Sequence, residues 1–389
     1  MPSATPLKPI TGLFKKRVAR DLAIGLGGGY VVAQVYWHYF DKHLKRTEAY
    51  YAKHGRACHE GDSQMVKDLL AQSADIFVTD DTGRTALHFA AASGDVQTIK
   101  TVLEAGIPWN SLDDGNFTAG DYAELSGHQD AYNELVQAGV RAELILRLLN
   151  KGSSDNEKKR AANEDYLSQP VVYSGDSLVD AEKNGVMMSW EAPLMELHAK
   201  TICASPGKAV LNIGFGMGII DTALQQLGPA KHVIVEAHPD VYQHMKDEGW
   251  DKKPNVHILF GRWQDKIDEI RSLGPYDGVF FDTFGEFYQD LDDFHRAIFA
   301  TSDDGSISPI LSQPEGIYSF FNGMGGDHKL FNDVYCDIVR ADLMNLGIET
   351  EYSVVASDIV MDEETWKGIK RPYWMIKNYH LPTCKWTQK

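Results

Sequence analysis

The stretch Ala209–Asp221, AVLNIGFGMGIID, decides how this chain is read. It begins with small and apolar residues (Val210, Leu211, Ile213), passes three glycines at two-residue spacing (Gly214, Gly216, Gly218), and resumes as an apolar run of helical character. That pattern describes a buried strand, a tight turn and a helix start, with glycines where backbone must approach a ligand closely. The turn alone is a weak signal. Its weight comes from a second apolar strand, His232–Glu236, which ends in an acid 20 residues after Gly216. A carboxylate at that distance suits ribose hydroxyls, and Glu236 is therefore a candidate binding residue.

Working outward, further strands are expected at 255–260, 276–282, 316–321, 352–360 and 373–379. The last two would form an antiparallel pair around the acidic loop 362–371. Seven strands with that ending describe an α/β, Rossmann-like domain of the S-adenosylmethionine-dependent methyltransferase type. The third strand leads into Gly261-Arg-Trp-Gln-Asp265, where Trp263 can cover a flat base and Gln264 can bond its edge. The fourth ends at Asp282, which would emerge at the same sheet edge as the glycine turn and Glu236. No phosphate-binding lysine motif is present, and NIGFGMG replaces the dinucleotide pattern G-x-G-x-x-G, which points to a nucleoside without pyrophosphate; spacing alone leaves NAD open.

Upstream of the turn, Met187, Met188, Trp190, Met195 and Leu197 follow a helix-compatible spacing after Asn184-Gly185. Glu191 lies within this apolar run, four residues before Met195 and on the same helical face. Core packing accounts for the methionines, but a carboxylate among them needs a cationic or hydrogen-bonding partner.

The formal charge of -17 conceals an asymmetry. Residues 1–56 hold ten Lys/Arg against three acids, a net +7, and the remainder carries 28 against 52, a net -24. The acidic body disfavours direct nucleic-acid binding and would attract a basic partner, although solubility alone also explains it. Cys58, Cys203, Cys336 and Cys384 form no Cys-x-x-Cys pair, so neither a metal site nor a disulfide framework is expected, and the compartment reads as reducing.

Residues 22–40, LAIGLGGGYVVAQVYWHYF, contain no Asp, Glu, Lys or Arg and have basic flanks, as a single membrane span would. Residues 9–54 resemble the small fungal cytochrome c oxidase subunit VIIa, an inner-membrane protein. That resemblance leaves two origins open, a genuine fusion or two neighbouring reading frames joined in one. The domain plan is thus 1–56 basic segment with a possible span, 57–150 repeats, 151–168 linker and 169–389 methyltransferase domain.

The repeats announce themselves by a period of 33: Gly61, Gly94 and Gly127; Ala57, Ala90 and Ala123; Leu70, Leu103 and Val136. This is the ankyrin period, and Thr85-Ala-Leu-His88 stands where such units carry their Thr-Pro-Leu-His turn. Ankyrin surfaces usually bind proteins, and His88 reads as structural.

At VMMSWEAPLM, NIGFGMGIID, VEAHP, GRWQD and FFDTFGE the chain resembles guanidinoacetate methyltransferase, and still more closely the fungal protein-arginine N5-methyltransferases, which join that domain to ankyrin repeats. The resemblance implies S-adenosyl-L-methionine as cofactor. It implies that Tyr173, Met187 and Met195 border the pocket, that Gly214, Phe215, Gly216, Met217, Gly218, Ile219 and Ile220 surround the methionine moiety, and that Glu236, Ala237 and His238 hold the adenosine. It further implies Trp263 and Gln264 at the adenine, Asp282 between cofactor and substrate, a basic ribosomal protein as substrate, and a cytoplasmic and nuclear location; a mitochondrial inner-membrane location follows if 1–56 belong to the protein. WEAPLM departs from the WETPYM-like run of the small-molecule enzymes. A guanidinium is flat and charged, so Glu191 and Asp282 together suit it, and transfer then depends on alignment with a carboxylate accepting the proton. The competing readings are methylation of a small guanidino compound, a non-catalytic ankyrin interaction protein, and a respiratory-complex component.

Overall fold

A computed structural model describes residues 55–72, 75–149, 164–283, 288–300, 308–356 and 365–388, and its contacts divide the chain at Tyr132/Asn133. The possible span at 22–40 lies outside the described residues, none of whose helices is long and apolar enough to cross a membrane.

The first unit is built from short helices: α1 Ser63–Ala71, α2 Ala86–Ser93, α3 Val96–Glu104 and α4 Ala119–Leu125. Helices α2 and α3 pack together, with α1 against α3 and α4 against α2. The 33-residue period has a backbone cause. Gly61, Gly94 and Gly127 all take left-handed φ values of 68–76°, and at Gly94 a Cβ would come within 2.5 Å of the His128 ring. His88 is fully buried; its Nδ1 accepts the Thr85 N–H (3.0 Å), and its Nε2 lies 3.1 Å from the Phe117 carbonyl. It ties the start of α2 to the next repeat, where Thr118 and Asp121 cap α4 by the same reciprocal device. Helix α5, Gln129–Leu149, contains the division between the units.

In the second unit a small antiparallel sheet comes first: β1 Val172–Ser174, β2 Ser177–Val179 and β3 Gly185–Met188. A single 3₁₀ turn, Ser189–Glu191, leads into α6, Ala192–Ile202. The helix thus begins later than the 187–197 spacing suggests. Met187 and Met188 are in a strand, and Pro193 sits in the first turn of α6, where its missing N–H costs nothing.

Strands β4 Ala209–Ile213, β5 Lys231–Glu236, β6 Val256–Phe260, β7 Gly278–Phe281, β8 Ile317–Phe320, β9 Ile348–Ala356 and β10 Asn378–Trp386 form one sheet in the order β6-β5-β4-β7-β8-β10-β9. From β6 to β8 all neighbours are parallel, and β10 is antiparallel to both β8 and β9. Helices α7 Ile219–Gln226, α8 Pro239–Asp247, α9 Trp263–Leu273, α10 Tyr288–Phe299 and α11 Lys329–Asn345 complete the unit. The strand order reverses at β4 and β7, the switch point at which open α/β sheets bind ligands.

Two of the expected strands are displaced. The antiparallel pair exists, but β9 starts before residue 352, and β10 occupies 378–386 rather than 373–379. Pro382, which contributes no ladder donor, disguises β10 in the sequence. Its carbonyl is satisfied by the Ser319 hydroxyl at 2.6 Å. Ser319 also lies 2.7 Å from His198 Nδ1, whose Nε2 is 2.8 Å from the Tyr379 hydroxyl. This chain binds α6, β8 and β10 together, and burial holds His198 in its neutral form by pushing its pKa down to about 3. Phe280 lies against its ring at 4.8 Å between centroids and belongs to a core in which Ile234, Val210 and Leu224 are likewise fully buried. Each such side chain contributes about 1.5–3 kcal/mol.

Candidate active site

Sheet register sets the site. Ile213 pairs with Val235 and Phe281, and Glu236 pairs with Phe260, so the strands end level with one another. The residues that follow continue the ladder: Gly214 N–H donates to Val235 O (2.9 Å), Asp282 N–H to Ile213 O (2.9 Å), Gly261 N–H to Glu236 O (2.8 Å) and Phe321 N–H to Phe281 O (3.0 Å). A glycine turn and two acids therefore face one crevice.

Gly214 has φ +95°, and a Cβ there would fall 1.8 Å from the Asp282 carbonyl oxygen, so no other residue fits. At Gly216 a Cβ would meet the Met187 sulfur at 2.8 Å, which brings β3 against the turn. Behind the turn, Asn212 Nδ2 lies 2.8 Å from the Gly214 carbonyl and 2.9–3.0 Å from both Asp221 oxygens. Asp221 is 2.9 Å from His232 Nε2, and the Gln225 amide donates to His232 Nδ1 at 2.9 Å. The network braces the backbone cradle from beneath.

Glu236 is buried at the end of β5. Its Oε2 accepts the Phe215 N–H (2.9 Å) and its Oε1 the His238 N–H (2.6 Å). Burial raises its pKa, and those backbone donors, with Ala237, pull the other way. Glu236 also lines a cavity of about 320 Å³, together with Met187, Glu191, Gly214, Gly216, Ala237, Trp263, Gln264 and Asp282 among others. Small-molecule sites span roughly 300–1,000 Å³.

Glu191 is 2% exposed. Its Oε1 accepts the Met188 N–H (2.9 Å) and the Tyr373 hydroxyl (2.5 Å). Burial first, and then the charge of Asp282, push its pKa well above the ordinary carboxylate range, while the two donors oppose the shift. Asp282, partly exposed at the crevice, is likewise raised by desolvation. Two acids that resist simultaneous ionisation line one recess, an arrangement that a cation between them relieves.

The remaining expected residues lie elsewhere than the cavity wall. Tyr173 sits behind the turn, donating to the Gly216 carbonyl (2.9 Å) and stacking on His244. Met195 and Ile220 are in the core, and Phe215 turns its ring onto Trp250, leaving only its N–H to Glu236. Met217 donates its N–H toward the Met187 sulfur (3.3 Å), while Gly218 and Ile219 start α7. His238 caps α8 and lies 2.8 Å from the Gln169 carbonyl. Conversely, Tyr166, Leu167, Arg262, Asp290, Leu291, Phe321, Met324 and Tyr373 reach the cavity without a local sequence signal. The loop 284–287 lies outside the described residues.

The glycine cradle, the buried Glu236 carboxylate at the end of β5, and Trp263 with Gln264 just after β6 line one cavity and fit S-adenosylmethionine; those residues would hold it. Comparison with known proteins agrees in kind. The family model for guanidinoacetate N-methyltransferase matches residues 149–346, and a model of three ankyrin repeats matches 55–145. Proteins called "Protein arginine N-methyltransferase 2" from Yarrowia lipolytica (41% identity over 247 residues), Candida glabrata (38% over 286) and Saccharomyces cerevisiae (38% over 283) are similar to it. The matches cover 60–63% of this chain and span 50–66% of the length of those relatives. With the family model covering just over half its residues and the seven-stranded sheet in place, the chain belongs to the guanidinoacetate N-methyltransferase family, preceded in sequence by ankyrin repeats.

Proposed function

We propose that this chain methylates the δ (N5) nitrogen of an arginine in a basic protein, a ribosomal protein in the first instance, using S-adenosylmethionine. The observation that carries the reading is the pair Glu191 and Asp282, one buried and one partly exposed, lining the same cavity beside a glycine cradle. When bound, S-adenosylmethionine supplies an electrophilic methyl group on a sulfonium. Glu191 and Asp282 hold the outer nitrogens of the guanidinium, and its inner nitrogen is thereby aimed at the cradle. Positioning of this kind supplies much of the acceleration in a direct displacement. The inner nitrogen loses its proton as the new N–C bond forms and the methyl's bond to sulfur breaks; the sulfur leaves as a neutral thioether and the methylated guanidinium remains a cation. We assign the proton to Asp282, because its backbone abuts Gly214. The name those relatives carry favours a protein as acceptor, and the acidic body suits a basic one.

Labelled S-adenosylmethionine offered with a basic arginine-rich protein, and separately with guanidinoacetate, tests the reading. Label recovered as δ-N-methylarginine after hydrolysis supports it. Label only on a terminal arginine nitrogen, or none at all, overturns it. Transfer to guanidinoacetate alone favours the second reading, which the name of the family model suggests.

A further inference from the structure

We propose that Tyr373 is a positioning residue that reserves a single oxygen of Glu191, Oε2, for the substrate, so that the guanidinium donates one hydrogen bond to each acid instead of two to Glu191. This rests on the reading of the acid pair given above. Among the described residues, both hydrogen bonds to the Glu191 carboxylate go to Oε1, from the Met188 N–H and the Tyr373 hydroxyl. A carboxylate oxygen has two acceptor positions, and these two donors fill them. The Met188 bond is local, three residues away, whereas Tyr373 is delivered from 182 residues downstream. Only the tertiary fold makes that second bond.

The phenol has little freedom to leave. Gly185 lies so close that a Cβ there would be 2.7 Å from the Tyr373 ring. Trp190 and Trp366 flank the same ring at 5.8 and 5.0 Å between centroids. The following residues are anchored as well: Trp374 is fully buried with its Nε1 donating to the Ile376 carbonyl, and Met375 N–H donates to Gly326 O at 2.7 Å. Burial and the neighbouring Glu191 keep the phenol protonated, hence a donor. The ionisable groups facing Glu191 are Asp282, Tyr373 and the Tyr379 phenol, with Glu236, Asp290 and Arg262 further round the cavity.

The test is a double-mutant cycle of Tyr373→Phe and Glu191→Gln, read as methyl transfer to an arginine-containing protein across neutral to alkaline pH. Tyr373→Phe is expected to lower kcat/KM about tenfold, mainly through kcat, and to move the rising limb of the pH profile to higher pH. In the Glu191→Gln background the same change should add no further loss. An equal loss in both backgrounds with an unmoved limb overturns the proposal. Gly185→Ala, which crowds the ring while keeping its hydroxyl, serves if Tyr373→Phe fails to fold, and should shift the limb in the same direction. A readout free of turnover separates the two readings: the pH dependence of unfolding of the substrate-free protein. If wild type transfers nothing to arginine, the proposed function falls; if unfolding of wild type and Tyr373→Phe then depends identically on pH, the role of Tyr373 falls too.

Discussion

Glu191 and Asp282 give the most direct residue-level expectations. Glu191→Gln and Asp282→Asn should each lower transfer at least a hundredfold, since each removes an orienting charge, and steady-state assay would show it. Their raised affinity for protons also fixes the sign of a stability effect. The folded protein binds more protons than the unfolded chain between the ordinary carboxylate range and the raised one, so stability falls as pH rises through that window. Glu191→Gln should therefore flatten the decline and make the substrate-free protein more stable at neutral pH, as urea unfolding at several pH values would record. For the same reason a guanidinium ligand should displace a proton, visible as buffer-dependent heats in calorimetry.

At the scale of elements, the β4 turn and helix α10 each position part of the cavity. Gly214→Ala places a side chain against the Asp282 carbonyl at a left-handed φ, and a loss of about 1–3 kcal/mol together with weakened cofactor binding is expected. Helix α10 brings Asp290 and Leu291 to the cavity and is tied to α5 and α11 through Arg147. Arg147 bonds Asp342 at 2.8 Å, lies 3.5 Å from Asp292 and covers the Tyr288 ring. Because Arg147 is partly exposed, Arg147→Met should cost about 1–2 kcal/mol in denaturant unfolding. What the sequence made legible divides along the same line. The glycine turn, Glu236 and Asp282 close apolar strands, and alternation of small and apolar residues marks strand ends without any knowledge of neighbours. Tyr373 and Tyr166 carry no such mark, because distant packing delivers them to the cavity. Pro382 hides β10 by breaking the pattern that betrays a strand, and because a turn's sequence does not say which way a ring points, the resemblance that places Phe215 around the methionine moiety leaves its packing on Trp250 unread.

For the whole molecule, charge is the property that reaches beyond the cavity. The net -24 carried by residues 57–389 should draw in a basic protein over longer distances than any contact, so KM for such a substrate should rise with salt while that for a small guanidino compound changes little. A flat salt response for both would count against electrostatic recruitment. The sheet imposes a separate order of events. Strand β10 is threaded between β8 and β9, both of which precede it in the chain, and Tyr379 on it completes the His198 network. A polypeptide emerging from the ribosome must hold β9 without a companion until 378–386 arrive, and Glu191 waits nearly as long for Tyr373. The cavity is therefore complete only once 373–386 have been made, and until then chaperones would meet a sheet lacking the strand that joins β9 to β8.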